Sequence, residues 1–388
     1  MYFWRFSCCK STVTLPLLKG NLDMTDKNPI PLSEEEKLSR LRLSRTDSIS
    51  TRTFWRLLKE YSSAKNAIEH LKDSKKFKIC EKDVVLRELE DIKKIGAELI
   101  FYENELYPSL LRQISDAPPV LSVLGINNLK EFTKRKVIAI VGARNSSILA
   151  NRFCKQVAED LGNNGFVVIS GLARGIDAQA HNATLKTGTI AVLASGINVV
   201  YPKENQKLYD AIKEQGVILA EMPFGTPPQS SLFPKRNRII AAAASGVLVI
   251  EAARHSGSLI TARCALEYNR DVFAAPGFPL DLRSEGSNLL IKEGAIMTLS
   301  ARDILEHTYS QPAQQKAFEF SDIQTADYSV SDENIGSKIL NALSTTPITI
   351  DELIFSIKLS PQEVLSALID LELKNKILRL SGQRVCLV

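Results

Sequence analysis

Short, continuous apolar runs alternate with longer amphipathic segments from residue 136 to residue 310. The runs are rich in Val and Ile and predict six strands, at 137–141, 166–169, 189–193, 217–220, 247–250 and 272–274. The segments between them predict helices over 148–163, 175–187, 205–214, 236–244 and 258–268. Unbroken apolar runs are typical of parallel strands that are buried on both faces, and regular strand–helix alternation indicates a doubly wound sheet. We therefore predict an α/β domain over residues 133–310.

A small helical domain is predicted before this core, over residues 31–80. Ser33 followed by Glu34–Glu36 is typical of a helix N-cap with an acidic first turn. Residues 81–132 then connect to the core through a charged helix at 83–94 and apolar runs at 97–101 and 121–124. Residues 1–30 have no helical periodicity, and we expect them to be disordered or to be an extension that precedes a true start at Met24.

A second small domain is predicted after the core. Residues 311–335 are polar and aperiodic, which indicates a linker. Helices are then predicted at 336–344, 351–357 and 361–373, with short strands at 348–350, 377–380 and 385–388. Three helices followed by a two-stranded ribbon form a winged-helix pattern, a fold that contacts duplex DNA or protein.

Composition adds only mild constraints. The 388 residues are 44% hydrophobic and 24% charged with a net charge of +5, which fits a globular protein and permits an acidic partner. The six cysteines form no CxxC pair, so we expect no zinc site, no disulfide framework and a cytoplasmic location. No apolar stretch reaches about 18 residues, so no transmembrane helix is predicted. We expect neither a cofactor nor a metal.

Glycine-containing loops follow two of the predicted strands. The first contains Gly142 and Arg144, where glycine allows close backbone approach and arginine can clamp a phosphate; a tight turn with a surface arginine is the alternative. Ser146 or Ser147 can cap the next helix. The second loop contains a set of small and basic residues: Ser170, Gly171, Arg174 and Gly175.

Two polar residues, Asp177 and His181, follow the second loop at i and i+4 and share a helix face. They could form an acid–base pair. We favour a structural interpretation, in which Asp177 orients local backbone and His181 is a satisfied buried histidine, because neither a nucleophile nor a metal site is evident.

Cations are predicted at two helix starts, where the helix dipole disfavours them unless an anion binds. Lys203 opens one helix, with an ordinary exposed lysine as the alternative. The second start carries an aromatic residue on which a base could stack, followed by a basic cluster: Phe233, Lys235, Arg236, Asn237 and Arg238. A further loop offers backbone donors for a phosphate at Ser256, Gly257 and Ser258. So many anion-friendly loops exceed the needs of one mononucleotide and favour a polymer.

The motifs VGARNSS, SGLARGIDAQAH, YPKEN, FPKRNRIIA and SGSLITA occur in this order, with a Pro-Gly after the last predicted strand. Over about residues 107–310 the chain resembles the DNA-processing protein DprA (Smf) family. The resemblance implies a Rossmann-like core, cytosolic single-stranded DNA binding without catalysis, homodimers, and loading of the RecA recombinase in recombination and natural transformation. It also implies that Arg144 contacts phosphate, that Lys203 and Lys235–Arg238 continue the basic track, and that residues 170–175 form the neighbouring loop.

One stretch departs from the family pattern. Where many relatives have a Gly-Ile-Gly hairpin in the N-terminal domain, this chain has Ser48-Ile49-Ser50. Losing both glycines removes a close backbone approach to phosphate, so we do not expect this domain to bind DNA directly.

Two other functions fit the sequence less well. Phosphoribohydrolases of the lysine-decarboxylase-like superfamily share the sheet architecture, but their PGGxGTxxE motif is replaced here by EAARHSGSLITA. A transcription factor that uses the winged helix is disfavoured by the near-neutral charge of that domain, which fits protein contact better.

Overall fold

The structure, a computed structural model, describes residues 32–72, 77–309 and 334–388. The expectations for 1–30 and for nearly all of 311–335 therefore lie outside the described residues. Within these ranges the strands are β1 (Glu98–Phe101), β2 (Val120–Leu124), β3 (Val137–Gly142), β4 (Val167–Ser170), β5 (Thr189–Gly196), β6 (Val217–Met222), β7 (Gly246–Ile250), β8 (Asp271–Ala274), β9 (Ile296–Met297), β10 (Ile348–Thr349), β11 (Ile377–Leu380) and β12 (Arg384–Leu387).

The described helices precede, connect and follow these strands. They are α1 (Glu34–Ser44), α2 (Thr51–Tyr61), α3 (Ala64–Leu71), α4 (Lys82–Lys94), α5 (Ser109–Arg112), α6 (Ile126–Phe132), α7 (Ile148–Asn163), α8 (Ile176–Thr184), α9 (Gln206–Gln215), α10 (Leu232–Ala243), α11 (Gly257–Glu267), α12 (Glu285–Lys292), α13 (Ala301–Tyr309), α14 (Ile335–Ala342), α15 (Ile350–Ile357) and α16 (Pro361–Leu373).

A nine-stranded sheet forms the core, in the order β1-β2-β6-β5-β4-β3-β7-β8-β9. Strands β3 to β9 are paired in parallel, whereas β1–β2 and β2–β6 are antiparallel. The chain winds outward from β3 in both directions, which confirms the predicted doubly wound α/β sheet. The order reverses between β3 and β7, and ligands of such sheets bind beyond the carboxyl ends of the strands at this switch point.

Side chains on the two faces of the sheet are buried separately. On one face Ala139 and Val141 of β3 pack with α10 and α11. On the other face Ile138 and Ile140 pack with α7 and α8. Alternate residues of one strand thus enter two cores, which explains why β3 is apolar at consecutive positions.

The chain before residue 133 does more than connect domains. Its apolar runs form β1 and β2, which extend the sheet beside β6. Helix α10 also begins at Leu232 and not at the predicted 236, because Phe233 and Pro234 already lie in its first turn, where proline is tolerated. The basic cluster therefore spans the first two turns of α10.

The C-terminal domain has the predicted winged-helix arrangement, with β10 completing a three-stranded sheet in the order β10-β12-β11. Its apolar cluster includes Ile148 and Leu149 from the first turn of α7. Arg152 forms an ion pair with Glu352, and Arg283 Nη1 donates to Asn341 O at 3.2 Å. This domain is thus packed against the start of α7.

Candidate functional site

The sequence motifs meet at the carboxyl ends of β3, β4, β5 and β7. Here Tyr201 and Phe233 face each other with ring centroids 5.8 Å apart. The guanidinium carbon of Arg144 lies 5.1 Å from the Phe233 centroid, within cation–π range. Together with Ser195 and Arg236, the two rings line a shallow pocket. The result is an aromatic surface with positive charge beside it and beneath it.

Arg236 forms the floor of this pocket and is 6% exposed. Its Nε donates to Asn237 Oδ1 at 3.0 Å, and its Nη1 donates to Val192 O at 3.0 Å and to Gly171 O. Burial lowers the pKa of Arg236 to about 10, so the guanidinium is still charged at neutral pH. In the described part of the chain no carboxylate lies within 4.0 Å of it. The buried Asp177 carboxylate stabilises this charge from beyond ion-pair distance, and the guanidinium lines the pocket as a cation.

The loop from Ser170 to Gly175 is held by side chains of two motifs, SGLARGIDAQAH and YPKEN. Ser170 Oγ donates to Ile140 O at 2.6 Å. Asp177 Oδ2 accepts from the backbone N–H groups of Gly171 and Ala173, at 3.1 and 3.4 Å. Asn205 Nδ2 donates to the carbonyl oxygens of residues 172 and 173, at 2.9 and 3.1 Å. These motif residues therefore fix the shape of one loop.

His181 belongs to the same network. Its Nε2 accepts from Leu172 N at 3.3 Å, and its Nδ1 lies 2.7 Å from Thr189 Oγ1. Burial lowers the pKa of His181 to about 3, while burial raises the pKa of Asp177 against the nearby positive charge of Arg236. The structural interpretation of both residues is confirmed.

Two members of the predicted basic cluster have structural roles. Arg238 forms ion pairs with Glu221 and Asp116, and its side chain is 11% exposed. Asn237 is buried, and its Nδ2 donates to Gly257 O at 3.2 Å. Their prediction as open phosphate contacts disagrees with this geometry, because both are committed to partners inside the protein. Helical spacing alone could not distinguish them from Lys235, which is exposed.

The remaining predicted cations lie at the surface of the same edge. Arg174 is exposed and paired with Glu204, and Lys203 is exposed in a 3-10 turn over Lys203–Asn205. Glu204 would compete with phosphate for Arg174. Lys203 and Lys235 are exposed and have no carboxylate within 4.0 Å among the described residues, and Arg144 is half-buried beside the Phe233 ring.

The predicted glycines fit loops against each other. A Cβ on Gly142 would overlap Ile250 O across the switch point, and a Cβ on Gly175, at φ +69°, would overlap Ala143 O. These glycines therefore bring the loops after β3, β4 and β7 together.

The helix start at Ser147 is occupied by the protein itself. Ser147 N and Oγ donate to the Glu251 carboxylate at 2.8 and 2.6 Å. Burial raises the pKa of Glu251, against the hydrogen bonds from Ser147. Glu251 thus takes the place that a phosphate would have at the positive end of α7.

The polar groups of the loop predicted at residues 256–258 mostly have hydrogen-bond partners within the protein. Ser256 caps α11 by accepting from Ser258 N at 3.3 Å, and the hydroxyl groups of the two serines lie 2.7 Å apart. Ser258 is buried, and the carbonyl oxygen of Gly257 accepts from Asn237.

The sequence did not identify three residues of this site. Tyr201 was recognised only as part of YPKEN, although an aromatic before a proline at a loop start was a usable signal. Ser195 lies at the end of β5, in a run that predicted only a strand. The contact between Glu251 and Ser147 spans 104 positions and leaves no local pattern.

Among the described residues no group of His, Cys, Asp and Glu is arranged to hold a metal ion. In those same ranges no helix has the length and apolar character to cross a membrane.

Comparisons with known proteins cover all three domains. The family model described as DNA recombination-mediator protein A matches residues 98–309. The DprA winged helix domain matches 328–383, and the DprA-like N-terminal HHH domain matches 34–90.

Several relatives are similar over the core. Protein Smf of Escherichia coli is 43% identical over 213 residues, which are 54% of this chain and 56% of that protein. The DNA processing protein DprA of Streptococcus pneumoniae is 44% identical over 204 residues, 52% of this chain and 71% of that protein. The chain thus spans a little over half the length of the E. coli relative.

Two solved structures are similar in fold. The X-ray structure of DNA processing protein A from Streptococcus pneumoniae has a TM-score of 0.61 at 31% identity, covering 75% of this chain and 100% of that chain. DNA processing protein A from Helicobacter pylori, described for its single-stranded DNA binding mode, has a TM-score of 0.50 at 27% identity, covering 54% of this chain and 94% of that chain. With a matching family model over more than half of its residues, this chain belongs to the DprA (Smf) family of DNA recombination-mediator proteins.

Proposed function

We propose that this protein binds single-stranded DNA at the carboxyl edge of its central sheet and acts as a recombination mediator without catalysis. The observation that carries the proposal is the pairing of Tyr201 and Phe233 beside Arg144. Exposed aromatic faces accept unstacked bases, which a duplex keeps inside its stack.

The cations around the rings suit a polymer of phosphates. Arg144, Lys203 and Lys235 lie on three loops or helix starts of the same edge, and Arg236 adds charge below. Base–aromatic stacking stabilises binding by about 1–3 kcal/mol per base and tolerates any sequence. Phosphate contacts add a salt-dependent contribution. The single-stranded DNA binding named for the Helicobacter pylori relative supports this assignment.

We extend the proposal to loading of RecA, to homodimers and to a role in natural transformation in a cytoplasmic setting. These parts rest on membership of the family. Homologous recombination requires a recombinase filament on the strand that the pocket would hold, so RecA is the expected partner.

Nucleotide hydrolysis has little support at this edge. Glu251 directly follows β7, one of the two strands at the switch point, and its carboxylate accepts two hydrogen bonds from Ser147. The His181 side chain is fully buried, and both of its ring nitrogens have hydrogen-bond partners inside the protein. If the protein were a phosphoribohydrolase, it would release free base from a nucleoside monophosphate, and Glu251→Gln would abolish the release.

The winged-helix domain fits protein contact better than duplex contact. The helix that would enter a major groove, α16, carries Glu363, Asp370 and Glu372 and no Lys or Arg between 361 and 373. Carboxylates are repelled by DNA phosphates, so we propose a protein-contact role.

Salt-titrated binding to oligo(dT) and to a duplex of the same length tests the proposal. We expect tighter binding to the single strand, weakening as salt increases, and a loss of at least about tenfold for Arg144→Ala. Lys213→Ala, which removes an exposed charge on α9 away from the pocket, is the matched control. Binding that is insensitive to Arg144 and to salt would contradict the proposal. A RecA-filament assay with the same variants tests the mediator role.

A further inference from the structure

One face of α2, in the N-terminal domain, carries three exposed cations. Arg52, Arg56 and Lys59 are spaced at i, i+4 and i+7, so they lie on one side of the helix. We call these three residues the α2 stripe. Glu60 is the single carboxylate of α2, and it accepts a hydrogen bond from the hydroxyl of Tyr61.

Most other cations of this domain are bound within the protein. Lys37 pairs with Glu34, and Lys65 pairs with Glu35. Arg40 and Arg45 bind buried or half-buried carboxylates, on Glu36, Glu103 and Glu88. In contrast, no carboxylate in the described ranges lies within 4.0 Å of a cation of the α2 stripe. Lys72 and Lys78 of this domain are also exposed, but the α2 stripe places three cations together on one helix face.

Buried side chains on the opposite face of α2, together with Trp55 at the side of the α2 stripe next to Lys59, fix the orientation of this helix. Phe54 and Leu57 are buried, and Trp55 Nε1 donates to Ala117 O at 2.8 Å. The Trp55 ring also packs edge-on against Tyr102, with centroids 4.6 Å apart. Because these contacts attach α2 to the core, the α2 stripe is presented outward on a rigid helix.

The same contacts bring α2 close to the proposed DNA site. Asp116, the residue before the Trp55 acceptor, binds Arg238 of α10. Arg238 is one helical turn from the exposed Lys235. A strand that leaves the pocket past Lys235 therefore has the N-terminal domain as a neighbour.

The hairpin before α2 does not provide an alternative anion site. Ser50 Oγ accepts from Thr53 N at 3.2 Å, so a side chain already caps the helix. The exposed Asp47 adds negative charge there. A phosphate would be attracted to the side of α2 and not to its N-terminal end.

The sequence of the hairpin predicts that the N-terminal domain does not bind DNA directly, but that prediction concerns the hairpin backbone and does not include the side chains of the α2 stripe. We propose that the α2 stripe is a second phosphate-binding surface, which holds the backbone of single-stranded DNA that extends beyond the central pocket. This inference rests on the proposed function of the pocket. The surface contacts phosphates and no bases, so it adds affinity and length dependence without sequence preference.

The contribution of the α2 stripe to the salt dependence of DNA binding can be measured. Each phosphate contact on a single strand contributes about 0.7 to the slope of log affinity against log salt. Three contacts predict a slope smaller by about 2 once the stripe is removed. Only strands long enough to reach both surfaces should show the difference.

The experiment compares full-length protein with the triple variant Arg52→Ala, Arg56→Ala, Lys59→Ala. Alanine preserves helix propensity, and Trp55 fluorescence with a thermal melt verifies that α2 stays folded and docked. The control neutralises three exposed lysines at the opposite, amino-terminal edge of the sheet: Lys134→Ala, Lys186→Ala, Lys213→Ala. Binding is measured across a salt series for oligo(dT) of about 6 and about 40 nucleotides, below and above the usual reach of one binding site.

We expect the α2 variant to bind the long strand at least about fivefold more weakly, with the smaller salt slope, and to bind the short strand like the wild type. The control variant should match the wild type on both. Equal losses in the α2 and control variants, or no loss on the long strand, would overturn the α2 surface. If Arg144→Ala still weakens binding of the short strand in that case, the central pocket binds DNA without the α2 stripe. If the wild-type protein binds neither strand, the proposed function itself is wrong.

Discussion

The Nη1 nitrogen of Arg236 donates a hydrogen bond to the carbonyl oxygen of Gly171, and a Cβ built on Gly171 would overlap that same guanidinium. The two residues lie 65 positions apart, in α10 and in the loop after β4. The position of the buried cation under the pocket therefore depends on the missing side chain of residue 171.

Gly171→Ala should displace the Arg236 guanidinium from the pocket floor. Forcing a methyl group into packed space typically destabilises a protein by about 1–3 kcal/mol. We expect a loss of that order in chemical denaturation, with weaker binding of single-stranded DNA. Gly257→Ala is the stability control, because no heavy atom lies within 4 Å of a Cβ there. A Gly171→Ala protein as stable as the control would show that Arg236 moves freely.

Lys235 and Arg238 should separate binding from stability, although they are one turn apart. Arg238→Met leaves the carboxylates of Glu221 and Asp116 without their cation, and we expect a loss of about 3 kcal/mol in the free energy of unfolding. Lys235→Ala removes an exposed charge, so stability should change by less than about 0.5 kcal/mol while DNA affinity falls. Urea denaturation and oligo(dT) binding measure both effects. The reverse pattern would mean that Arg238 is the phosphate contact.

His181 should make the protein sensitive to mild acid. Its pKa is lowered to about 3 in the fold from an ordinary value of 6.5, so below pH 6.5 the unfolded chain binds a proton that the folded protein does not. Stability from this group is complete above pH 6.5 and is lost as the pH falls toward 3, by at most about 1.4 kcal/mol per pH unit. The raised pKa of Asp177 acts in the opposite direction at lower pH.

The measurement is the slope of unfolding free energy between pH 6.5 and 4.5. The slope should be smaller in His181→Gln than in the wild type, by up to about 1.4 kcal/mol per pH unit, which corresponds to one proton taken up on unfolding. This difference in slope does not depend on the absolute stability of the variant. His70→Gln, at an exposed histidine of α3, is the control for removal of a histidine outside the buried network. Parallel slopes in wild type and His181→Gln would exclude this account.

The contact of the winged-helix domain with α7 should be measurable as coupling between Arg152 and Glu352. Their side chains are 62% and 26% exposed, so the ion pair should contribute only about 0.5–1 kcal/mol. Arg152→Glu and Glu352→Arg should each lower the thermal midpoint, and the double exchange should recover most of the loss. Strictly additive effects would place the two charges apart in solution.

Much of the fold could be predicted because hydrophobic periodicity is local. Helix α7 was predicted at 148–163 and α16 at 361–373, and both are observed with these bounds. Each begins after a serine cap and buries apolar side chains spaced at helical intervals. The short runs that form β1 and β2 are also apparent in the sequence, but the pairing of β2 with β6 depends on contacts about 95 residues apart and has no local signal.

The site was less predictable because one residue type can serve two purposes. Lys235, Arg236 and Arg238 have equivalent positions in a basic cluster, and only tertiary packing divides them into a surface lysine, a buried pocket floor and a buried ion pair. Likewise, the helix start at Ser147 had the form of an anion site, and its anion proved to be Glu251.

The antiparallel pair β1–β2 also sets where the core can be cut. A fragment that starts at residue 133 would leave the backbone of β6 unpaired along Ile218–Ala220, where β2 now binds it. An open, apolar strand edge of this kind is a template for aggregation. Truncated proteins intended for crystallisation or DNA titration should therefore begin before Glu98, and insoluble expression of a shorter fragment would report on its exposed edge and not on the pocket.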